Sequence, residues 1–239
     1  MQIKPKNTSH GFSLIELLVA VSIITVISAI ALFNQAKFSS DILITNMAYE
    51  LALTIRQAEV FGISSKGTSV ESVISSEQYR VGYGVHFTTA EPGSLHTFLD
   101  KPRGPASAPG QDVEFDFQYD ANTDPLMTTI DLTQGEKIRR FCVRDMASAW
   151  HCSDEGSAST LDIVFVKPNP DAFLSFYHTT EQSCHYTDNV PSCIYDQAKI
   201  VIESGLGDKC RTVRVWITGQ ISVDPIDSSD TTAGCEVSG

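Results

Sequence analysis

From Phe12 to Phe33 the chain reads FSLIELLVAVSIITVISAIALF, an apolar run with no Gly, no Pro and a single ionisable residue, Glu16. As a helix at about 1.5 Å per residue, this run reaches roughly the 30 Å of a bilayer's hydrocarbon core. A carboxylate inside such a segment costs several kcal/mol unless it finds a partner, so Glu16 is a candidate functional residue in its own right.

The pattern then changes period without stopping. Ile44, Ala48, Leu51, Ile55 and Ala58 recur at spacings of four, three, four and three, the signature of one apolar helix face. Ser39, Ser40 and Asp41 mark a bend or a cap within the helix. Gly62, followed by SSKGTS, is the expected stop. The spacing therefore predicts one helix from about Phe12 to about Phe61, apolar all round in its first half and amphipathic in its second.

Beyond Ser64 the period shortens to two. VEFDFQY places Val113, Phe115, Phe117 and Tyr119 in alternation with acidic or polar residues, which predicts a half-buried strand. YRVGYGVHF, KIRRFCVRD, TLDIVFVKP, AFLSFYH, AKIVIES and TVRVWITGQISV extend the series to six or seven strands, with Gly82 and Gly84 at a bend or a close approach. DKPRGPASAPGQD and SDEGSAST carry turn residues and no apolar period, so they are loops. There is no internal repeat and no long linker. The expectation is an α+β fold: a long helix laid on a mainly antiparallel sheet head.

Composition sharpens this picture. Of 239 residues, 29 are acidic and 17 are Lys or Arg, a net charge of −12, which argues against a nucleic-acid phosphate partner. The six cysteines Cys142, Cys152, Cys184, Cys193, Cys210 and Cys235 all lie in the second half. Behind a membrane segment an even number suggests disulfides in an oxidising compartment. Sequence does not choose among the connectivities; short loops favour Cys142 with Cys152, Cys184 with Cys193, and Cys210 with Cys235. His151 and His185 each adjoin a cysteine, but no C-x-x-C spacing supports zinc.

The N-terminus MQIKPKNTSHG is a basic leader carrying Lys4 and Lys6, which places it on the cytoplasmic side. No small-residue cleavage site follows the apolar run, so this is not the order of a secretory signal peptide. Cleavage after Gly11, before the run, would keep the helix as an anchor. An ordinary signal anchor, in which Glu16 snorkels to the interface, explains the run but not the Gly11–Phe12 junction.

KNTSHGFSLIELLVAVSII resembles the class III leader and N-terminal helix of type IV pilins and type II secretion pseudopilins. The resemblance implies that a prepilin peptidase cuts between Gly11 and Phe12 and methylates the new Phe12 amine. It also implies that Glu16 meets the terminal ammonium of a neighbouring subunit and so sets the register of assembly. Thr25 and Phe33 stand where many members carry Gly and Pro. The later motifs MAYELALTIRQAEVFGISSKG, YGVHF and RTVRVWITGQISV are similar, more loosely, to GspH/FimT-like minor pilins. The implied organisation is a cleaved leader (1–11), a membrane and filament-core half-helix (12–33), an amphipathic half-helix (34–62) and a β-rich head with disulfide-braced loops (63–239).

Catalytic motifs are missing: no G-x-S-x-G, H-E-x-x-H, P-loop or complete dinucleotide fingerprint occurs. The histidines His10, His86, His96, His151, His178 and His185 are scattered, so no enzyme is expected. Asp224, Asp227 and Asp230 share one C-terminal loop and are candidate calcium ligands, which the resemblance to calcium-binding major pseudopilins reinforces; no other cofactor is expected. KIRR at Lys137 to Arg140 is a compact basic run that reads as a solvated strand end, while Arg139, Arg140, Arg144, Arg211 and Arg214 form the basic cluster a DNA-uptake pilin would use. The resemblance implies a structural filament subunit of a type IV pilus. The alternatives are a type II secretion pseudopilin, a DNA-uptake minor pilin, or a membrane-anchored extracytoplasmic binding protein. Its partners would be other pilin subunits, the prepilin peptidase, an inner-membrane assembly platform, and membrane lipid before assembly. It would sit in the inner membrane first, then in an extracellular pilus or a periplasm-spanning pseudopilus.

Overall fold

The structure, a computed structural model, describes residues 12–64, 81–102, 115–132, 135–156, 158–168, 170–177, 184–187, 190–205, 207 and 209–225. The chain forms two compact units, Met1–Ser40 and Asp41–Gly239. Helix α1 spans Leu14–Ile63, consistent with the absence of Gly and Pro before Gly62. Ser13 stands just before it, and its carbonyl accepts the Leu17 N–H at 3.2 Å.

In the second unit, the α1 residues Ile44, Ala48, Leu51, Ile55 and Ala58 are all buried, so the predicted apolar face is the one that packs. They share one core with residues from two antiparallel sheets. The first sheet has the order β3 (Leu126–Asp131), β2 (Ser94–Asp100), β1 (Gly82–Thr88), β6 (Thr160–Phe165), β7 (Ala172–Tyr177). The second has the order β12 (Ile221–Pro225), β11 (Cys210–Trp216), β10 (Tyr195–Glu203), β4 (Lys137–Asp145), β5 (Trp150–Cys152). A separate hairpin joins β8 (Cys184–Thr187) to β9 (Val190–Cys193), and a short 3-10 helix covers Ser153–Glu155.

The two-residue period decides which side chains meet the helix. On β1, Tyr83, Val85 and Phe87 enter the shared core; on β6, Leu161, Ile163 and Phe165 do so. From the second sheet come Phe141, Val143, Ile200, Ile202, Val213 and Val215. Full burial of such a side chain stabilises by about 1.5–3 kcal/mol, so this cluster supplies most of the head's stability. The first sheet is also covered on its other face, where Phe98, Val164 and Phe173 pack with Phe115 and Phe117 in a second cluster.

Three expectations are corrected. Among the described residues the head has two five-stranded sheets and a hairpin, more strands than the six or seven expected, because short segments such as SLHTFLD and LMTTID also pair in the first sheet. Residues 115–119 of VEFDFQY are not a strand: Phe117 lies at φ 57°, in the left-handed region, and Phe115 and Phe117 pack as a strap over the first sheet. Val113 lies outside the described residues. Gly62 does not end the helix, which continues to Ile63. Its missing side chain serves packing instead, since a Cβ there would stand 2.5 Å from the Phe165 carbonyl oxygen. Gly84 does come close to a neighbour, its absent Cβ leaving room for the Phe98 ring.

Candidate functional site

The N-terminal candidates sit at the start of α1. Phe12 is 82% exposed, and Glu16 falls in the first helical turn. Ser13 and Glu16 have the S-x-x-E spacing of a capping box, which sequence reading missed although the residues spell it out. A carboxylate there also faces the positive end of the helix dipole, worth about 0.3–1 kcal/mol. Glu16 therefore has a local reason for its place in addition to any partner. Gly11 lies outside the described residues.

Around this turn the helix is apolar on every side. Leu14, Ile15, Leu17, Leu18, Val21 and Ile24 point outward on all faces and are exposed, Leu14 at 82%. A helix of this kind requires an apolar environment, because no single stripe can turn inward and hide the rest. The interspersed hydroxyls are satisfied within the helix: Ser22 Oγ donates to the Val19 carbonyl and Thr25 Oγ1 to that of Ser22, both at 2.8 Å. Among the residues whose side chains are described, no helix is long and apolar enough to cross a membrane. The apolar run of the sequence continues to Phe33 through Ala31 and Phe33, whose side chains lie outside that set.

Cys142 and Cys152 form a disulfide across directly paired positions of β4 and β5. The β8–β9 register places Cys184 opposite Cys193. Cys210 is disulfide-bonded, while Cys235 lies outside the described residues.

The basic cluster proves to be internally compensated. Arg139 and Lys137 face Glu203, Arg140 faces Asp154, and Arg211 reaches Asp41 at 2.8 Å. Arg144 clasps Asp196 with two hydrogen bonds, which raise its pKa further. Arg214 lies 3.8 Å from Asp224, which also accepts the Ser222 hydroxyl. Asp224 is thus engaged on β12, and Asp227 and Asp230 lie outside the described residues.

Among the histidines whose side chains are described, only His86 enters a buried network. Its Nδ1 lies 2.6 Å from Asp162 Oδ1, while the Tyr177 hydroxyl donates to Asp162 Oδ2 at 2.6 Å and the Tyr119 N–H donates to the same oxygen at 2.9 Å. Burial and the Asp162 charge push the Tyr177 phenol far above its ordinary value, so it stays a neutral donor. This network ties the 115–119 strap to the sheet. His96 is held by Glu91 and Thr129, and His151 by Asp145. His10 and His178 lie outside the described residues, as does the side chain of His185.

Residues 6–32 match the family model described as the prokaryotic N-terminal methylation motif, the class III prepilin leader. The match supports a place in the type IV pilin and pseudopilin family, whose leader implies processing by prepilin peptidase and assembly with other pilins. No curated protein and no solved structure matches the chain.

Proposed function

We propose that the chain is a prepilin whose mature form is a structural, non-catalytic subunit of a type IV pilus-like filament. The observation that carries this reading is the coincidence of the methylation motif with a helix exposed and apolar on all sides. Such a surface is stable in lipid before assembly and among like helices afterwards. Cleavage between Gly11 and Phe12 would create a terminal ammonium, and in a staggered array Glu16 of one subunit meets it on the next. The subunit waits in the inner membrane and then displays its disulfide-braced head outside the cell or in the periplasm.

The compensated arginines favour filament structure over DNA uptake. A carboxylate already opposite each guanidinium must be displaced before a phosphate can bind, which weakens the counterion-release gain that drives such binding. Mass spectrometry of the N-terminal peptide, in sheared filaments and in membranes of the native organism, tests the proposal. A methylated Phe12 terminus in sheared filaments is the expected result. Confinement of that terminus to membranes would turn the reading towards a pseudopilin, and an intact Met1 leader in both fractions would refute it.

A further inference from the structure

Three carboxylates far apart in sequence meet at one edge of the strap. Asp100 ends β2, Asp116 lies within the strap, and Asp124 lies in the turn that leads to β3. One oxygen from each lies within 4.8 Å of the others, and all three residues are buried, at 0%, 4% and 5% exposure. Opposite oxygens around one calcium ion are separated by about 4.6–5.2 Å, twice the usual Ca–O distance. The trio therefore fits within a single coordination sphere.

A second observation points to an occupant. Asp100 is fully buried; its Oδ2 accepts the Phe117 N–H at 3.2 Å, but its Oδ1 meets no donor. The carboxyls of Asp100 and Asp116 come close enough to share a proton, so Oδ1 can be answered either by that proton or by a cation. The backbone favours an ionised Asp124. Asp124 accepts the Lys101 N–H at 3.1 Å and the Asp120 N–H at 2.9 Å, and amide donors aimed at a carboxylate stabilise its charged form.

We propose that Asp100, Asp116 and Asp124 bind one calcium ion, which clamps the strap at residues 115–124 onto the outer face of the first sheet. The site is independent of the filament reading and separate from the C-terminal acidic loop. Oxygen-only ligands on an irregular segment suit calcium, and an extracytoplasmic site of this kind binds in the range of about 0.1–1 mM.

The test uses the full chain in detergent micelles, with calcium titrated calorimetrically and thermal unfolding followed in EDTA and in about 10 mM calcium. One bound calcium and a rise in Tm of roughly 3–10 °C are expected. Asp116→Asn should lose at least about tenfold in affinity along with most of that rise, because it removes one charged ligand. No calorimetric binding to the wild type would overturn the proposal, and an Asp116→Asn protein more stable than wild type in EDTA would then show that the trio holds a proton. The wild-type titration decides the matter even if the variant fails to fold.

Discussion

Replacing Gly62 by Ala sets two effects of opposite sign against each other. Within a helix, Ala is favoured over Gly by about 1 kcal/mol, less near a helix end. Against that gain, the new Cβ would stand 2.5 Å from the Phe165 carbonyl oxygen and 2.7 Å from its Cβ. An ordinary C···O contact is no shorter than about 3.3 Å, so helix and strand must part by about 0.8 Å. Neither obstacle is the loose end of a side chain: one is backbone, and the other is the first atom of a buried Phe. A gap of that size forfeits roughly a quarter to a half of the dispersion energy along the contact, and overpacking of this kind costs about 1–3 kcal/mol. The clash wins, with a net loss of about 1–2 kcal/mol and a fall in Tm of roughly 2–8 °C. Gly93→Ala is the control, because a Cβ there meets nothing within 4 Å; it should be neutral or stabilise by about 0.4–1 kcal/mol. Thermal unfolding of both variants by circular dichroism checks the reasoning. A Gly62→Ala protein as stable as the Gly93→Ala protein would refute the close approach of α1 to β6.

Three further outcomes are expected. Gly11→Ala should block leader removal and leave a heavier precursor on immunoblots; normal processing would remove the cleavage assignment. Glu16→Ala should insert into the membrane normally but yield few sheared filaments, so a wild-type yield would show that the carboxylate serves the helix end alone. The Tyr177 phenol is held neutral in the folded state, with its pKa above the unfolded value of about 10. Its contribution is therefore complete below pH about 10 and is lost as pH rises through the interval above. Ultraviolet titration should show one tyrosine ionising only with unfolding, and Tyr177→Phe should delete that late step; an unchanged titration would contradict the network around Asp162.

The amphipathic half of α1 is legible residue by residue, since a 3.6-residue period has one meaning when it persists from Ile44 to Ala58. TLDIVFVKP, with Thr160, Ile163, Val164 and Val166, is legible in the same way, its core-facing Leu161, Ile163 and Phe165 falling at a period of two. VEFDFQY shows the limit: its alternation records packing on a sheet, yet nothing local announces that Phe117 adopts a left-handed backbone. The pairing of Cys142 with Cys152 follows from a short loop. The carboxylate trio does not follow from any window, because Asp100, Asp116 and Asp124 converge only when the strap folds back. Attention to acidic residues adjacent in sequence leads to Asp224, which the fold instead engages with Ser222 and Arg214.

One consequence concerns mechanical load. Helix α1 is unbroken from Leu14 to Ile63, and its segment from Ile44 to Ala58 is built into the head's core. At the start of the second unit, Arg211 grips both the Asp41 carboxylate and the Thr45 hydroxyl. A pull applied at Asp41 along the helix would load the buried Ile44 to Ala58 face in shear, so many contacts would resist together instead of failing one after another. The head is thereby hung from its own core.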